Sequence, residues 1–220
     1  WAGDKSRGAI EAEMPQEHKD FVEGLIEKFK VPEASGPGMR TRFIRSAELE
    51  RDRIEAGLDS KVNMCACGIG APSDVMQAAK AGEQATLALI GSPHHVQRSI
   101  AAGVEILVAQ GYDAGAHTGP IGTYSLVPQI VDQAGDIPVL VAGGVATGRH
   151  IAAALAMGAQ GVWMGTAWLL SEEHQGHMHP VNRDKLIAAG SGDTVITRSE
   201  SGKTFRQVRS GWSQAWEAQD

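Results

Sequence analysis

The chain has 220 residues and a formal net charge of -6, with 42% hydrophobic residues of which few are aromatic. That length holds one well-buried domain and is short for two, and the 27 glycines suit an α/β protein of small-residue helices and tight turns. The acidic balance gives no support for nucleic-acid or anionic-membrane binding, and no apolar run approaches the roughly 20 residues that span a bilayer. Cys65 and Cys67 alternate within one predicted strand. This is not a secreted disulfide framework, so free thiols in a reducing compartment, the cytoplasm, are expected. No signal peptide is visible at the start, where Trp1-Ala2-Gly3-Asp4-Lys5 has neither an initiating methionine nor an apolar segment, and a fragment is expected.

In chain order, residues 1–14 are polar and aperiodic and read as loop. Pro15 suits a first helical turn, and Phe21, Val22, Leu25, Ile26 and Phe29 follow at helical spacing. A charged second helix is predicted from Met39 to Ala56, its arginines on a solvated face. From Lys61 the rhythm changes to alternating strands and helices. The predicted strands are 62–67, 85–90, 104–109, 138–142 and 160–164; the predicted helices are 72–81, 93–102, 124–134 and 148–157. Ser92 is a candidate N-cap, and Gly82, Gly103 and Gly158 stand where C-cap glycines belong. The apolar strands end abruptly in glycine, as buried parallel strands do where they open onto a ligand-bearing face. Five such strands joined by right-handed crossovers fit an open sheet or part of a closed (β/α)8 barrel. Glycine pairs on the last two strands favour the barrel, with this chain covering about strands 4 to 8. Residues 1–60 then form a helical connector before strand 4, 61–170 the C-terminal part of the barrel, and 171–220 a packed extension. In that extension a helix to Ala189, a short strand at 193–198 and a helix at 211–218 are expected, with Trp212 and Trp216 at i and i+4.

Two constellations carry chemistry. Ala142-Gly143-Gly144 and Gly165-Thr166 lie at adjacent strand ends, where glycine lets backbone amides approach a phosphate. The helix beginning near Thr147 adds a favourable dipole. Each glycine pair taken alone is also compatible with a tight turn. Residues 110–119 (Gln110, Gly111, Tyr112, Asp113, Ala114, Gly115, Ala116, His117, Thr118, Gly119) set polar side chains among glycines at another strand end. Gln110 has the donor and acceptor to bond a flavin edge, and His117 carries an imidazole that can exchange a proton, as suits a general base or an oxyanion partner. On spacing alone His117 is equally a surface histidine, and Asp113 either orients it or caps a turn. His174, His177 and His179 match no zinc signature and read as exposed loop. Lys203 and Arg206 read as surface charges unless the tail folds back over the phosphate site.

Taken together, 109–119, 138–145, 161–166 and the tail 193–199 with Gly202, Lys203 and Trp212 resemble the nitronate monooxygenase (2-nitropropane dioxygenase-like) family. The resemblance covers about residues 60–219. It implies an FMN-bound TIM barrel in which Gln110, Gly111 and Gly115 contact the flavin. Gly143 and Gly144 match one phosphate loop, and Trp163, Met164, Gly165 and Thr166 the other. His117 matches the catalytic histidine, and no metal is implied. The family pattern has glycine where Ala116 stands. Its opening strands are missing here, so a second polypeptide supplying strands 1 to 3 is a candidate partner, and a homodimer is a family expectation. The implied activity is FMN-dependent oxidation of alkyl nitronates by dioxygen to a carbonyl compound and nitrite. The alternatives are an FMN-dependent NAD(P)H enoyl-thioester or quinone reductase and a truncated flavin- or phosphate-binding module without turnover.

Overall fold

Strand-forming residues and alanine-rich helices alternate through the main body as their periodicities dictate. In the computed structural model, which describes residues 7–33, 47–68 and 70–219, the strands are β1 (Met64–Cys67), β2 (Ala85–Ile90), β3 (Ile106–Gln110), β5 (Val139–Ala142) and β6 (Gly161–Trp163). They form one parallel sheet in the order β1-β2-β3-β5-β6. The crossovers are α4 (Ser73–Ala81), α5 (Val96–Ala101), α6 (Thr123–Ala134) and α7 (Gly148–Ala156). Spatial order follows chain order, as it does along the wall of a (β/α) barrel, so the sheet accounts for strands 4 to 8 of an incomplete one.

The pleat divides the side chains between two faces. Ile90, Leu107, Ala109, Val139 and Val141 pack with Met76, Val96, Leu126, Val127 and Ile130 of the helices in the larger core. Burying one such leucine or isoleucine contributes about 1.5–3 kcal/mol. Leu87, Val108 and Ala142 form a smaller cluster on the opposite face, joined by Leu89, Ile106 and Leu140. Gln110 has the parity of Ile106 and Val108. It therefore ends β3 on the inner face.

Glycine and carboxylate chemistry close the other end of the units. Gly103 and Gly158 follow α5 and α7 with φ of 98° and 91°, left-handed values that suit a helix C-terminus. The Glu105 carboxylate accepts from the Thr86 N–H at 2.9 Å and the Thr86 hydroxyl at 3.1 Å, while Lys80 lies 3.6 Å away. The Thr86 amide, with Lys80 assisting, holds the Glu105 carboxyl below its ordinary range.

A second sheet, order β4-β8-β7, is antiparallel and joins β4 (Ala116–His117), β7 (Thr194–Thr197) and β8 (Phe205–Val208). The sequence predicts β7 but neither β4 nor β8. Every residue of β8 is half-buried, so the strand lacks the in-out alternation that announces one. The tail is completed by α8 (Pro180–Ala188) and α9 (Gly211–Glu217), where the Trp212 and Trp216 rings lie 5.8 Å apart.

Residues 1–60 separate from 61–218 as a unit of their own. Their described helices are α1 (Arg7–Glu13), α2 (Gln16–Lys28) and α3 (Ala47–Leu58). The loop expected over 1–14 is therefore wrong at 7–13, where a polar stretch without periodicity is helical. The second helix begins at Ala47 within the described residues; 39–46 of the expected span lie outside them. Among the described residues no helix is long and apolar enough to cross a membrane.

Candidate functional site

The loop leaving β3 is fastened before it reaches His117. Gly111 donates its N–H to Ala142 O at 3.1 Å, and a Cβ there would run into the backbone and hydroxyl of Thr123. Thr123 N–H donates to Asp113 Oδ2 at 2.9 Å, so Asp113 holds the first turn of α6. Of the two roles read from the sequence, capping is the one Asp113 performs here. Thr123 Oγ1 in turn donates to Gly143 O at 3.1 Å, tying β3, α6 and β5 together at one end of the sheet.

His117 is reached through a strained residue. Ala116 sits at φ 70°, a left-handed value that costs an L-residue with a Cβ about 1–2 kcal/mol. The tail offsets that cost. Ala116 pairs with Arg206 and His117 with Phe205 across the β4–β8 ladder, and Thr118 N–H donates to Thr204 O at 3.2 Å. Arg206 Nε donates to Tyr112 O and a terminal guanidinium nitrogen to Thr194 Oγ1, both at 2.7 Å. The reading of Arg206 as a plain surface charge is thus replaced: the tail folds back, over the His117 loop.

The His117 ring has two neighbours from this hairpin. Ser201 Oγ lies 2.6 Å from Nε2, and the Phe205 ring stands edge-on at 5.0 Å and 88°. The His117 carbonyl accepts from Gln110 Nε2 at 3.0 Å. Gln110 thus spends one amide hydrogen on the loop and keeps its Oε1 and a second hydrogen.

Gln110 and His117 face a cavity of about 470 Å³ at the C-terminal ends of β1, β2 and β3. Arg198, Lys203 and Thr118 stand on its wall as well. Neither Arg198 nor Lys203 has an ion-pair partner among the described residues. Thr118 Oγ1 is buried without a hydrogen-bond partner among the described residues.

The glycine strand ends gather beside this cavity and do not line it. Gly143 and Gly144 have φ of 101° and 74°. A Cβ on Gly143 would lie 2.9 Å from both Ala114 N and Thr123 Oγ1, so a side chain is excluded on two grounds. The space at Gly115 opens onto Thr166 Oγ1 at 3.3 Å, and that at Gly144 onto Asp113 Cβ at 3.3 Å. Trp163 pairs with Ala142 in register, Met164 follows it half-buried, and Gly165 has open space where a Cβ would point. Gly111, Gly115, Gly143, Gly144 and Thr166 thus form one neighbourhood, Gln110 and His117 the next. Beyond them, His150 Nδ1 accepts from the Ala146 and Thr147 amides, each at 3.2 Å. The start of α7 is therefore capped from within.

Sequence reasoning missed Ser201 and Phe205, and it placed Thr118 in the 110–119 constellation and Arg198 in the tail without giving either a role. Its sole pointer to Ser201 and Phe205 was the tail segment containing Gly202 and Lys203. Cys65 and Cys67 are free thiols on β1. Burial, reinforced by Cys65, pushes the Cys67 thiol up to about 11. Among the described residues no three His, Cys, Asp or Glu side chains are grouped to hold a metal ion.

A parallel α/β barrel segment with a histidine loop and glycine-rich strand ends has the fold of the barrel-type oxidoreductases. The chain belongs to the nitronate monooxygenase family, whose model matches residues 19–220. It is 38% identical over 226 residues to a Mycobacterium tuberculosis protein named provisionally as a monooxygenase, covering 97% of this chain and 59% of that protein. A FabK (M276A) mutant from Thermotoga maritima superposes with a TM-score of 0.69 at 30% identity, over 77% of this chain and 55% of its own. Nitroalkane oxidase from Streptomyces ansochromogenes superposes with a TM-score of 0.75 at 24% identity, over 96% and 60%, a likeness of fold. The chain thus spans about three-fifths of the curated relative it matches over nearly its whole length.

Proposed function

We propose that this chain carries the cofactor and substrate face of an FMN-dependent enzyme that oxidises alkyl nitronates with dioxygen to a carbonyl compound and nitrite. The supporting observation is the company His117 keeps: its cavity also bears Arg198 and Lys203, neither with an ion-pair partner among the described residues. Such a wall favours an anionic substrate, and a nitronate is an anion.

The glycine neighbourhood fits FMN. Open space at Gly165, the Gly115–Thr166 approach and the side-chain-free backbone at Gly143 and Gly144 leave room for a phosphate against N–H groups. On this reading Gly143, Gly144, Trp163, Met164, Gly165 and Thr166 hold the phosphate end. Gln110, Gly111 and Gly115 meet the ring system, Gln110 with the amide oxygen and the hydrogen that His117 leaves it. Bound FMN supplies the electron-accepting chemistry. His117 stabilises the nitronate oxygens and, for neutral nitroalkanes, takes the α-proton.

A second polypeptide supplying strands 1 to 3 completes the barrel on this reading, a homodimer is a separate expectation, and the free thiols are consistent with a cytoplasmic setting. The experiment gives the FMN-loaded protein a small alkyl nitronate and follows oxygen uptake and nitrite, with anaerobic flavin reduction by NAD(P)H in parallel. Nitrite formation with slow NAD(P)H reduction is expected. Fast reduction without nitrite would transfer the site to the reductase reading, and FMN binding with neither reaction to the binding-module reading.

A further inference from the structure

The ring of His117 is held from a distance in sequence, and the holding leaves its two nitrogens unequal. Nε2 lies 2.6 Å from Ser201 Oγ. Nδ1 has no partner among the described residues. Phe205 fixes the ring plane through an edge contact at 5.0 Å, and its own place is set by pairing with His117 across the β4–β8 ladder. The turn that carries Ser201 is itself tied down. Gly202 N–H donates to Arg198 O at 2.9 Å, Ser199 N–H to Thr197 Oγ1 at 3.2 Å, and Gln207 Nε2 to Ser199 Oγ at 3.0 Å.

We propose that Ser201 is a positioning residue for His117: its hydroxyl takes Nε2, locks the ring orientation and commits Nδ1 to the substrate. The inference rests on the reading of His117 as the site histidine. A hydroxyl suits the task because it both donates and accepts. When Ser201 donates to Nε2, the neutral ring carries its proton on Nδ1 and offers a donor to an anionic nitronate oxygen. For Nδ1 to take a proton from a neutral nitroalkane the ring must first be in its other neutral tautomer, with Nε2–H donating to Ser201 Oγ and Nδ1 bare. The α-proton then goes to Nδ1, the positive charge spreads over the ring, and Ser201, its hydroxyl having rotated, goes on accepting from Nε2–H with no heavy atom moved. Each state keeps both ring nitrogens satisfied once substrate is bound. An alanine there would leave Nε2 to water and the ring free to turn about χ2.

The test is ring-nitrogen NMR of His117 in the FMN-loaded protein, with steady-state nitronate kinetics, for the parent, Ser201→Ala and Ser201→Thr. Ser201 is exposed on a turn, so neither change removes core packing. The parent is expected to show one predominant neutral tautomer, protonated on Nδ1. Ser201→Ala should show averaged tautomers and a kcat reduced about tenfold, the worth of one hydrogen bond of about 1.4 kcal/mol, with KM little changed. Ser201→Thr should restore both readouts. An unchanged tautomer and unchanged kcat in Ser201→Ala, with His117→Ala inactive, would overturn this proposal alone. Full turnover in His117→Ala would overturn it through the site reading beneath it, whatever the ring signals show.

Discussion

The β3 loop and the ends of β5 and β6 both bring backbone close to a ligand space, by opposite means. At β5 the chain uses glycine, and Gly143 and Gly144 hold φ of 101° and 74° with no side chain to strain. In the β3 loop Ala116 holds φ 70° with a methyl group in place, braced by a ladder from residues 205 and 206. The glycine ends are self-sufficient, whereas the histidine loop is held by a hairpin about 90 residues further along the chain. Local chemistry therefore shapes the glycine strand ends and long-range packing shapes the histidine loop.

The largest expected effect breaks the self-sufficient side. Gly143→Ala puts a Cβ 2.9 Å from Ala114 N at a left-handed φ. It should cost about 3 kcal/mol and lower FMN content, read from the denaturant midpoint and visible absorbance. Unchanged stability would show that β5 does not need this conformation. Arg206→Ala breaks the brace. It removes the bonds to Tyr112 O and Thr194 Oγ1, each charge-assisted, and should cost about 2 kcal/mol with faster amide exchange in 194–208. Exchange as slow as in the parent would mean that the ladder holds without the guanidinium. Ala116→Gly sharpens the comparison in the opposite direction by relieving the strained φ, and a gain of about 1 kcal/mol is expected; a loss would mean that the methyl packs more than it strains.

The smallest effect concerns neither region and serves as a control on the sheet edge. With its thiol pushed up to about 11 by burial, Cys67 stays protonated through pH 8 and 9. Its alkylation by iodoacetamide, followed by peptide mapping, should be slow there and quicken as the pH approaches that value. Rapid labelling at pH 8 would contradict the half-burial of Cys67.

The same contrast explains what the sequence disclosed. The strand at 85–90 matches to the residue, and the order of five parallel strands is right, because each is a short apolar run closed by glycine. Gln110, His117 and the glycine pairs stood out because their residue types are poor packing material. Ser201 and Phe205 did not, because nothing local in Ser199-Glu200-Ser201-Gly202 says that its turn reaches a histidine 84 positions earlier. Helix α1 was hidden for a related reason: Arg7–Glu13 carries no apolar period to announce it. Arg206 was read as a surface charge because its partners, a carbonyl in one loop and a hydroxyl in another strand, exist only after folding. The family resemblance narrowed the chemistry to nitronates and flavin; it did not foretell that Ala116 would sit at a left-handed φ of 70°.

The most direct measurement prepares His117→Ala and Gly143→Ala side by side, recording bound FMN and nitronate turnover for each. His117→Ala should keep its flavin and lose at least about 100-fold in turnover, while Gly143→Ala should lose flavin and with it activity. A His117→Ala protein that turns over nitronate normally, or a Gly143→Ala protein that binds FMN like the parent, would contradict the division of labour between the two strand ends.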